Sequence, residues 1–261
     1  MASPPILLPM TAADIPDMAK ATAEAFLVDR QTIMKGYGGD KYDMKQETYN
    51  SAPGYITNWK VVYMKAVHSE TGETMGTCAW GFRGLQPEEV PHLPGTEASK
   101  IGPEVMKKLA DEKKAHAPVE EEQKPTEEQK VKDGVARLNN ESGEDLNDWM
   151  EKMMPDGTRC MYIVGLTVVP KFQRQGVSKA LLKWGTDTAD GLGLWIWVHS
   201  SEGARTAYEA AGFKPIGVWS VDLDEYAPVS VPPEHDHDKS GKWGRYTITY
   251  LSYGKGRWVP E

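Results

Sequence analysis

At 261 residues and 29.0 kDa, the chain is long enough for one large domain or two small ones, and a hydrophobic content of 39% with nine Trp can fill a real core. A net charge of −8 and a sequence pI of about 5.4 argue against nucleic-acid binding, which needs clustered Lys and Arg to neutralise phosphates. Two cysteines, Cys78 and Cys160, are too few for a disulfide framework, no apolar run reaches the length of a membrane span, and no signal-like core opens the chain, so a soluble, cytoplasmic protein with free buried thiols is expected.

Residues 6–8 read as a short first strand. Thr11 then caps a helix, with Asp14 three residues on as a variant capping box. Ile15, Met18, Ala19, Ala25 and Phe26 form its apolar stripe at helical spacing, with Thr22 on the same face. Residues 27–58 are mixed, and Gly36, Gly38 and Gly39 make a loop between two helical pieces. Residues 60–67 and 74–82 are the strands of a hairpin that turns at Ser69, Glu70, Thr71 and Gly72. From Gly84 to about residue 145 the composition shifts to Glu, Lys, Pro and Gln, with almost nothing to bury. That stretch reads as an excursion inserted between two strands of one sheet, partly helical and partly mobile, and not as a second domain. Residues 146–154, with Trp149 and Met150, have enough apolar surface to dock back as a helix.

The centre of the chain carries the chemistry. An apolar run from Cys160 to Val169 ends at Pro170 and is followed by Gln173, Arg174, Gln175, Gly176, Val177 and Ser178. A helix over residues 178–190 comes next, with Ala180, Leu181, Trp184 and Ala189 apolar, then a buried strand over residues 194–198. A strand, a glycine-bearing turn and a helix together aim free backbone N–H groups at an anion, and the helix dipole favours negative charge there. Gly176 lets the backbone approach the ligand, and Ser178 is small for the same reason. There is no G-x-x-x-x-G-K-S/T loop, and the G-x-G of Gly191 and Gly193 precedes a strand, which is the wrong context for a dinucleotide fingerprint. The residues therefore point to a phosphate-bearing cofactor at the start of this helix. Downstream, residues 201–211 form a second helix that ends at Gly212, in the left-handed conformation, with Phe213 folding back on it. Residues 218–223 and 244–251 alternate as strands across a polar loop at 225–242 and close a hairpin at the end of the sheet.

Gln173, Gly176 and Ser178 occupy the fixed positions of (Arg or Gln)-x-x-Gly-x-(Gly or Ala), the pyrophosphate loop of the GNAT superfamily of N-acetyltransferases, with Ser178 in place of the usual Gly or Ala. Ser201, Ala204, Tyr208, Gly212 and Phe213 fall in register with that superfamily's following helix and turn. The chain resembles the superfamily closely over residues 158–222 and in element order elsewhere. With Leu181, Leu182, Lys183, Trp184 and Gly185 it is most similar to fungal members that act on metabolites. The resemblance implies an α/β fold: a GNAT-like mixed, mostly antiparallel sheet flanked by helices, with splayed parallel central strands. It implies one domain over residues 1–261, carrying the charged insertion at about 84–145. It also implies acetyl-CoA as acyl donor, its pantetheine arm in the gap between the splayed strands against Leu166, Thr167 and Val168. The Val168 N–H would polarise the thioester carbonyl and hold the developing oxyanion. The pyrophosphate would take N–H groups of Arg174, Gln175, Gly176, Val177, Ser178 and Lys179, and Gln173 and Ser201 would also belong to the cofactor site. The side chains of Arg174 and Lys179 either reach phosphates or are solvated. Tyr208, by its matched position, either protonates the departing thiolate or only packs against the pantetheine.

The acceptor side is less determined. Residues 27–58 often wall the acceptor site in this superfamily. Some members place a Glu near Cys160, Met161 and Tyr162, where this chain has no carboxylate. His199, Asp222 and Asp224 stay open as proton acceptors, each equally readable as structure. His235, Asp236, His237 and Asp238 alternate within a loop, without the helical spacing of many metal sites, and read as solvated polar residues. Trp195 and Trp197 share a strand face and belong to the core, while Trp80 fits either the core or the acceptor wall. The expected activity is transfer of an acetyl group from acetyl-CoA to a primary amine of a small molecule by direct attack, with no metal, nucleic-acid or membrane partner. Two alternatives stay open: a protein lysine or N-terminal acetyltransferase that docks through the insertion, and a non-catalytic acyl-CoA-binding module.

Overall fold

The computed structural model describes residues 4–38, 42–96, 134–236 and 238–254. Its strands are β1 (Ile6–Pro9), β2 (Val61–Val67), β3 (Thr74–Arg83), β4 (Cys160–Val168), β5 (Trp195–Ser200), β6 (Lys214–Asp222) and β7 (Arg245–Tyr253). They form one seven-stranded sheet in the order β1-β2-β3-β4-β5-β7-β6. Every neighbouring pair is antiparallel except β4 and β5, which run parallel. This is the mixed, mostly antiparallel architecture that the sequence implied.

The helices are α1 (Ile15–Phe26), α2 (Arg30–Lys35), α3 (Met44–Thr57), α4 (Gly134–Met153), α5 (Val177–Leu192) and α6 (Arg205–Ala210). Local chemistry fixes where they start. The Thr11 N–H and hydroxyl donate to Asp14 Oδ2 at 2.8 and 2.7 Å in the turn that leads into α1. Asp29 accepts from the Thr32 N–H at 2.9 Å to cap α2, and Asp43 accepts from Lys45 N–H at 2.8 Å to cap α3. Gly193 ends α5 in the left-handed region at φ 65°, so the Gly191 and Gly193 pair closes a helix and opens a strand.

α5 covers one face of the sheet. Its Val177, Leu181, Leu182 and Ala189 pack into the main core with Met161 and Ile163 of β4 and Ile196 and Val198 of β5. Trp80 belongs to this core and is fully buried, so it does not line an acceptor wall. A Cβ at Gly185 of α5 would lie 2.1 Å from the Trp80 ring, which is why the helix carries a glycine at that point. On the opposite face, Trp195 and Trp197 of β5, Cys160 and Tyr250 pack with Met153 and Met154. α1 lies with α3 in a separate apolar cluster around Met10, Ile15, Met18 and Ala52. Cys78 and Cys160 sit on neighbouring strands, opposite Leu166 and Arg83 respectively, and both are free and buried.

One element is longer than the composition suggested. α4 starts at Gly134, within the stretch read as an insertion, and buries Val135 and Leu138 besides Met153. Leu138 docks this end of the helix against Met34, Leu223, Tyr226, Trp243 and Tyr246, although the surrounding residues are charged. The front of the expected insertion also has something to bury, since Leu85, Val90 and Leu93 pack into the main core, and residues 97–133 lie outside the described residues. Among the described residues, no helix is long and apolar enough to cross a membrane.

Candidate active site

β4 and β5 are paired only at Cys160 with Trp195, Met161 with Ile196, and Tyr162 with Trp197. Beyond that point the strands part. Leu166, Thr167 and Val168 stay paired to β3 through Cys78, Thr77 and Gly76, so their other edge faces the gap. Gly76 is required there: a Cβ on it would come within 2.6 Å of the Thr167 carbonyl oxygen. The gap opens into a cleft of about 700 Å³. Leu166, Thr167, Val168, Gln173, Arg174, Val177, Ser178 and Ser201 line it, so the structure brings together these eight residues singled out from the sequence.

The turn between β4 and α5 is shaped for an anion. Gly176 has φ 84° and Arg174 φ 60°, two left-handed residues that curl the chain ahead of the helix. The first main-chain bond of α5 runs from the Ala180 N–H to the Gly176 carbonyl at 3.0 Å. The N–H groups ahead of it have no helical carbonyl to use, and they lie at the positive end of the helix dipole. Gln175 Nε2 donates to the Lys171 carbonyl at 2.8 Å, and Lys171 pairs with Glu73, which braces the turn against the β2–β3 hairpin. Gln175, Gly176 and Lys179 belong to this turn and first helical turn and are not among the residues that line the cleft.

Tyr208 lies on α6, behind the cleft wall made by Ala204 and Ala207. It is 4% exposed, and its ring sits edge-on to Phe213 with centroids 5.7 Å apart. Gly212 adopts φ 94°, and the Phe213 N–H donates back to the Tyr208 carbonyl at 3.1 Å, the helix-ending arrangement expected from the sequence. Burial pushes the Tyr208 hydroxyl far above its usual range, and the nearby Cys78 adds to the effect, so it is a neutral O–H donor at neutral pH.

The rest of the cleft was not anticipated from single residues. Ala25, Phe26, Val28, Asp29 and Arg30, where α1 turns into α2, form one wall, and Glu202, Gly203, Ala204 and Ala207 form another. Ala25 and Phe26 continue the apolar stripe of α1 but face the cleft instead of the core. The signal available in the sequence was the apolar pair Leu27 and Val28 between that stripe and Asp29, a pair that the structure leaves exposed.

The open acid–base candidates separate clearly. Asp222 accepts from the Asp224 N–H at 3.1 Å, and Asp224 accepts from the N–H groups of Trp243 and Gly244 at 3.0 and 2.9 Å, so both carboxylates hold turns. His199 follows the last residue of β5 that is paired to β4 by two positions, on the same strand face as Trp195 and Trp197. It stands across from Tyr250, ring centroids 6.4 Å apart, and the Tyr250 hydroxyl donates to Asp145 of α4 at 2.6 Å. Burial lowers the imidazole pKa below its ordinary value, partly opposed by the Asp145 charge. In the 225–242 loop, Asp236 accepts from the Gly241 N–H and Asp238 from the Ser240 N–H, while His237 lies outside the described residues. Among the described residues, no group of three His, Cys, Asp or Glu is placed to hold a metal.

Residues 152–221 match the family model described as acetyltransferase (GNAT) domain. The chain carries a GNAT acetyltransferase domain. That assignment makes it an N-acetyltransferase. The matched span runs from the end of α4 through β4, the turn after it, α5, β5 and α6 to β6, and so contains the cleft-lining residues from Leu166 to Ala207. Among solved structures, arylalkylamine N-acetyltransferase 2 of Aedes aegypti shares the GNAT fold at a TM-score of 0.52 and 12% identity, over 96% of this chain and 98% of that one. A Corynebacterium glutamicum protein described as histone acetyltransferase HPA2 and related acetyltransferase aligns over 99% of both chains at 16% identity and a TM-score of 0.47. The Drosophila melanogaster polyamine N-acetyltransferase aligns over 96% of this chain and 99% of its own at 12% identity and a TM-score of 0.49. No curated protein matches the chain.

Proposed function

We propose that the chain transfers an acetyl group from acetyl-CoA to a primary amine of a small molecule by direct attack, as one domain over residues 1–261 with an insertion at about 84–145. The observation that carries this reading is the coincidence of the β4–β5 gap with the anion turn in one cleft. Its chemistry fits acetyl-CoA. The free edge of Leu166, Thr167 and Val168 offers main-chain pairing to the amide groups of a pantetheine arm, and the N–H groups of residues 174–179 offer a seat for a pyrophosphate. Acetyl-CoA, when bound, supplies an acetyl thioester. In this reading the Val168 N–H holds the thioester oxygen and stabilises charge that develops on it. The Tyr208 hydroxyl supplies the proton for the departing sulfur.

A small acceptor is favoured by a tie across one end of the cleft: Arg30 reaches Glu202 at 2.8 Å and joins the α1–α2 corner to the segment after β5, and both residues line the cleft. The Aedes aegypti protein with this fold is likewise named for a small amine. The test is a calorimetric titration with acetyl-CoA, followed by coenzyme A release with butylamine, phenethylamine, putrescine, lysine and a histone-tail peptide. One-site micromolar binding and release with a small amine is the expected result. Release with the peptide alone would move the chain to the protein-modifying class. Absence of binding at millimolar acetyl-CoA overturns the reading.

A further inference from the structure

The chain lacks a carboxylate near the start of β4, yet an amine must shed a proton before it can attack. The cleft passes from α5 on one face of the sheet, through the gap between β4 and β5, to the α1–α2 corner on the other. The side chains of β5 that face away from α5 are Trp195, Trp197 and His199, since Ile196 and Val198 point into the α5 core. The first two lie where β5 is still paired to β4. His199 is the residue of that face that comes after the strands part; it does not itself line the cleft, but it stands two positions before the cleft-lining Ser201.

Its surroundings orient an imidazole. Tyr250 flanks it from β7, and that hydroxyl is committed to Asp145 of α4, which brings one carboxylate beside the ring. Trp149 of α4 stacks on Tyr250, centroids 4.2 Å apart at 15°, and fixes the phenol from behind. Asp145 is the charged group that acts on His199, and Tyr250 stays neutral because burial and the bond to Asp145 raise its pKa. His199 retains intermediate solvent exposure, so a proton taken up there can leave.

We propose that His199 accepts the proton of the acceptor's ammonium group, relayed by a water, on the side of the gap opposite α5. This rests on the acetyltransferase reading above. In the step, one N–H bond of the ammonium breaks, the electron pair stays on nitrogen as the attacking lone pair, and the proton goes to the imidazole and then to solvent. A neutral imidazole is needed, and burial lowers its pKa, which favours the neutral form.

The experiment uses the full chain and the best amine from the coenzyme A release series. The wild type is expected to show an acidic limb in kcat/KM for the amine. His199→Gln should abolish that limb and lower kcat/KM about ten- to a thousandfold, in the range of general-base contributions, with acetyl-CoA affinity by calorimetry unchanged. Asp145→Asn removes the charge that favours imidazolium and should move the limb to lower pH, an effect that a merely structural role would not produce. In ligand-free protein, the His199 ring resonances should titrate at the pH of the limb. A wild type that turns over while His199→Gln keeps both rate and limb, or a limb that Asp145→Asn leaves in place, overturns the proposal and leaves the acetyltransferase reading standing. A wild type that neither binds acetyl-CoA nor releases coenzyme A overturns that reading itself.

Discussion

Arg30 Nη2 donates to Glu202 Oε2 at 2.8 Å across 172 positions of sequence, and the same guanidinium reaches the carbonyls of Trp243 and Arg245 at 2.7 Å each. The other Glu202 oxygen accepts from the Thr247 N–H at 3.1 Å. Three segments that meet nowhere else in sequence are thereby joined at one end of the cleft: the start of α2, the segment after β5, and the approach to β7.

Arg30→Ala should therefore loosen the cleft more than it unfolds the chain. Arg30 and Glu202 are each more than a third exposed, so the ion pair itself contributes little, and most of the loss comes from the two carbonyl bonds. A loss of about 1–2 kcal/mol in urea denaturation is expected. The KM for the amine should rise several-fold while the acetyl-CoA dissociation constant changes little. Arg30→Lys should not rescue it, because one ammonium cannot reproduce the planar fork that spans three acceptors.

Two glycines of α5 make an internal control. A Cβ at Gly185 would lie within 2.1 Å of the rigid, fully buried Trp80 ring, whereas a Cβ at Gly191 would meet nothing within 4 Å. Gly191→Ala should gain up to about 1 kcal/mol from helix propensity. Gly185→Ala gains the same propensity but forces α5 off the sheet, at an overpacking cost of about 1–3 kcal/mol. Since α5 carries the anion turn, Gly185→Ala should also weaken acetyl-CoA binding in calorimetry, and Gly191→Ala should not.

Much of this fold was readable in the chain because local chemistry and the tertiary structure agree. The Thr11 and Asp14 cap, the left-handed Gly212 before Phe213, and the Gly176 turn all act within a few residues of themselves. The donor half of the cleft is likewise one continuous stretch, from Leu166 to Ser201. What escaped was non-local. Arg30 and Glu202 owe their position to partners on distant strands, and no spacing announces that. The front of α4 was hidden for a different reason: Val135 and Leu138 are isolated apolar residues in a charged run, and the burial of Leu138 depends on a surface supplied by Met34, Trp243 and Tyr246. Trp80 was ambiguous because a strand with both faces covered has no alternation to read.

Gly176→Ala isolates backbone conformation from space. Gly176 has φ 84°, and a Cβ added to it would meet nothing within 4 Å, so the new methyl clashes with no neighbour. The cost is that of holding an L residue in the left-handed region, about 1–2 kcal/mol. That cost is expected to appear as a weaker acetyl-CoA dissociation constant, by about tenfold, when the turn relaxes away from the binding geometry. Gly176→Asn should lose less, because Asn tolerates this region better than Ala. Equal affinity for all three proteins would detach the turn from donor binding.

Tyr208→Phe removes one oxygen and keeps the ring against Phe213, so the fold should persist with a small change in Tm. If the hydroxyl protonates the departing sulfur, kcat falls while the KM for acetyl-CoA stays near its original value. A decrease of about ten- to a hundredfold is expected, at the low end for a general acid because a thiolate leaves readily near neutral pH. The hydroxyl's strongly raised pKa adds no basic limb to the pH profile in the neutral range. An unchanged kcat would leave Tyr208 as packing alone.

The pH dependence of stability offers a check on His199 that needs no substrate. Burial lowers its pKa in the folded protein below the ordinary 6.5, with Asp145 opposing, so the unfolded chain binds this proton more readily than the folded one. Stability then rises with pH wherever the unfolded state carries the extra proton. The contribution is fully present above pH 6.5 and is lost as pH falls from there toward the folded pKa. His199→Gln removes this dependence, so the difference in unfolding free energy between wild type and variant should shrink as the buffer is taken from about pH 7.5 to about 5.5. Asp145→Asn should deepen the wild-type slope, since it takes away the charge that eases protonation in the folded state. A wild type and a His199→Gln variant whose stabilities run parallel across that interval would show that the imidazole is not held neutral by its burial, and would remove the physical basis for its role as proton acceptor.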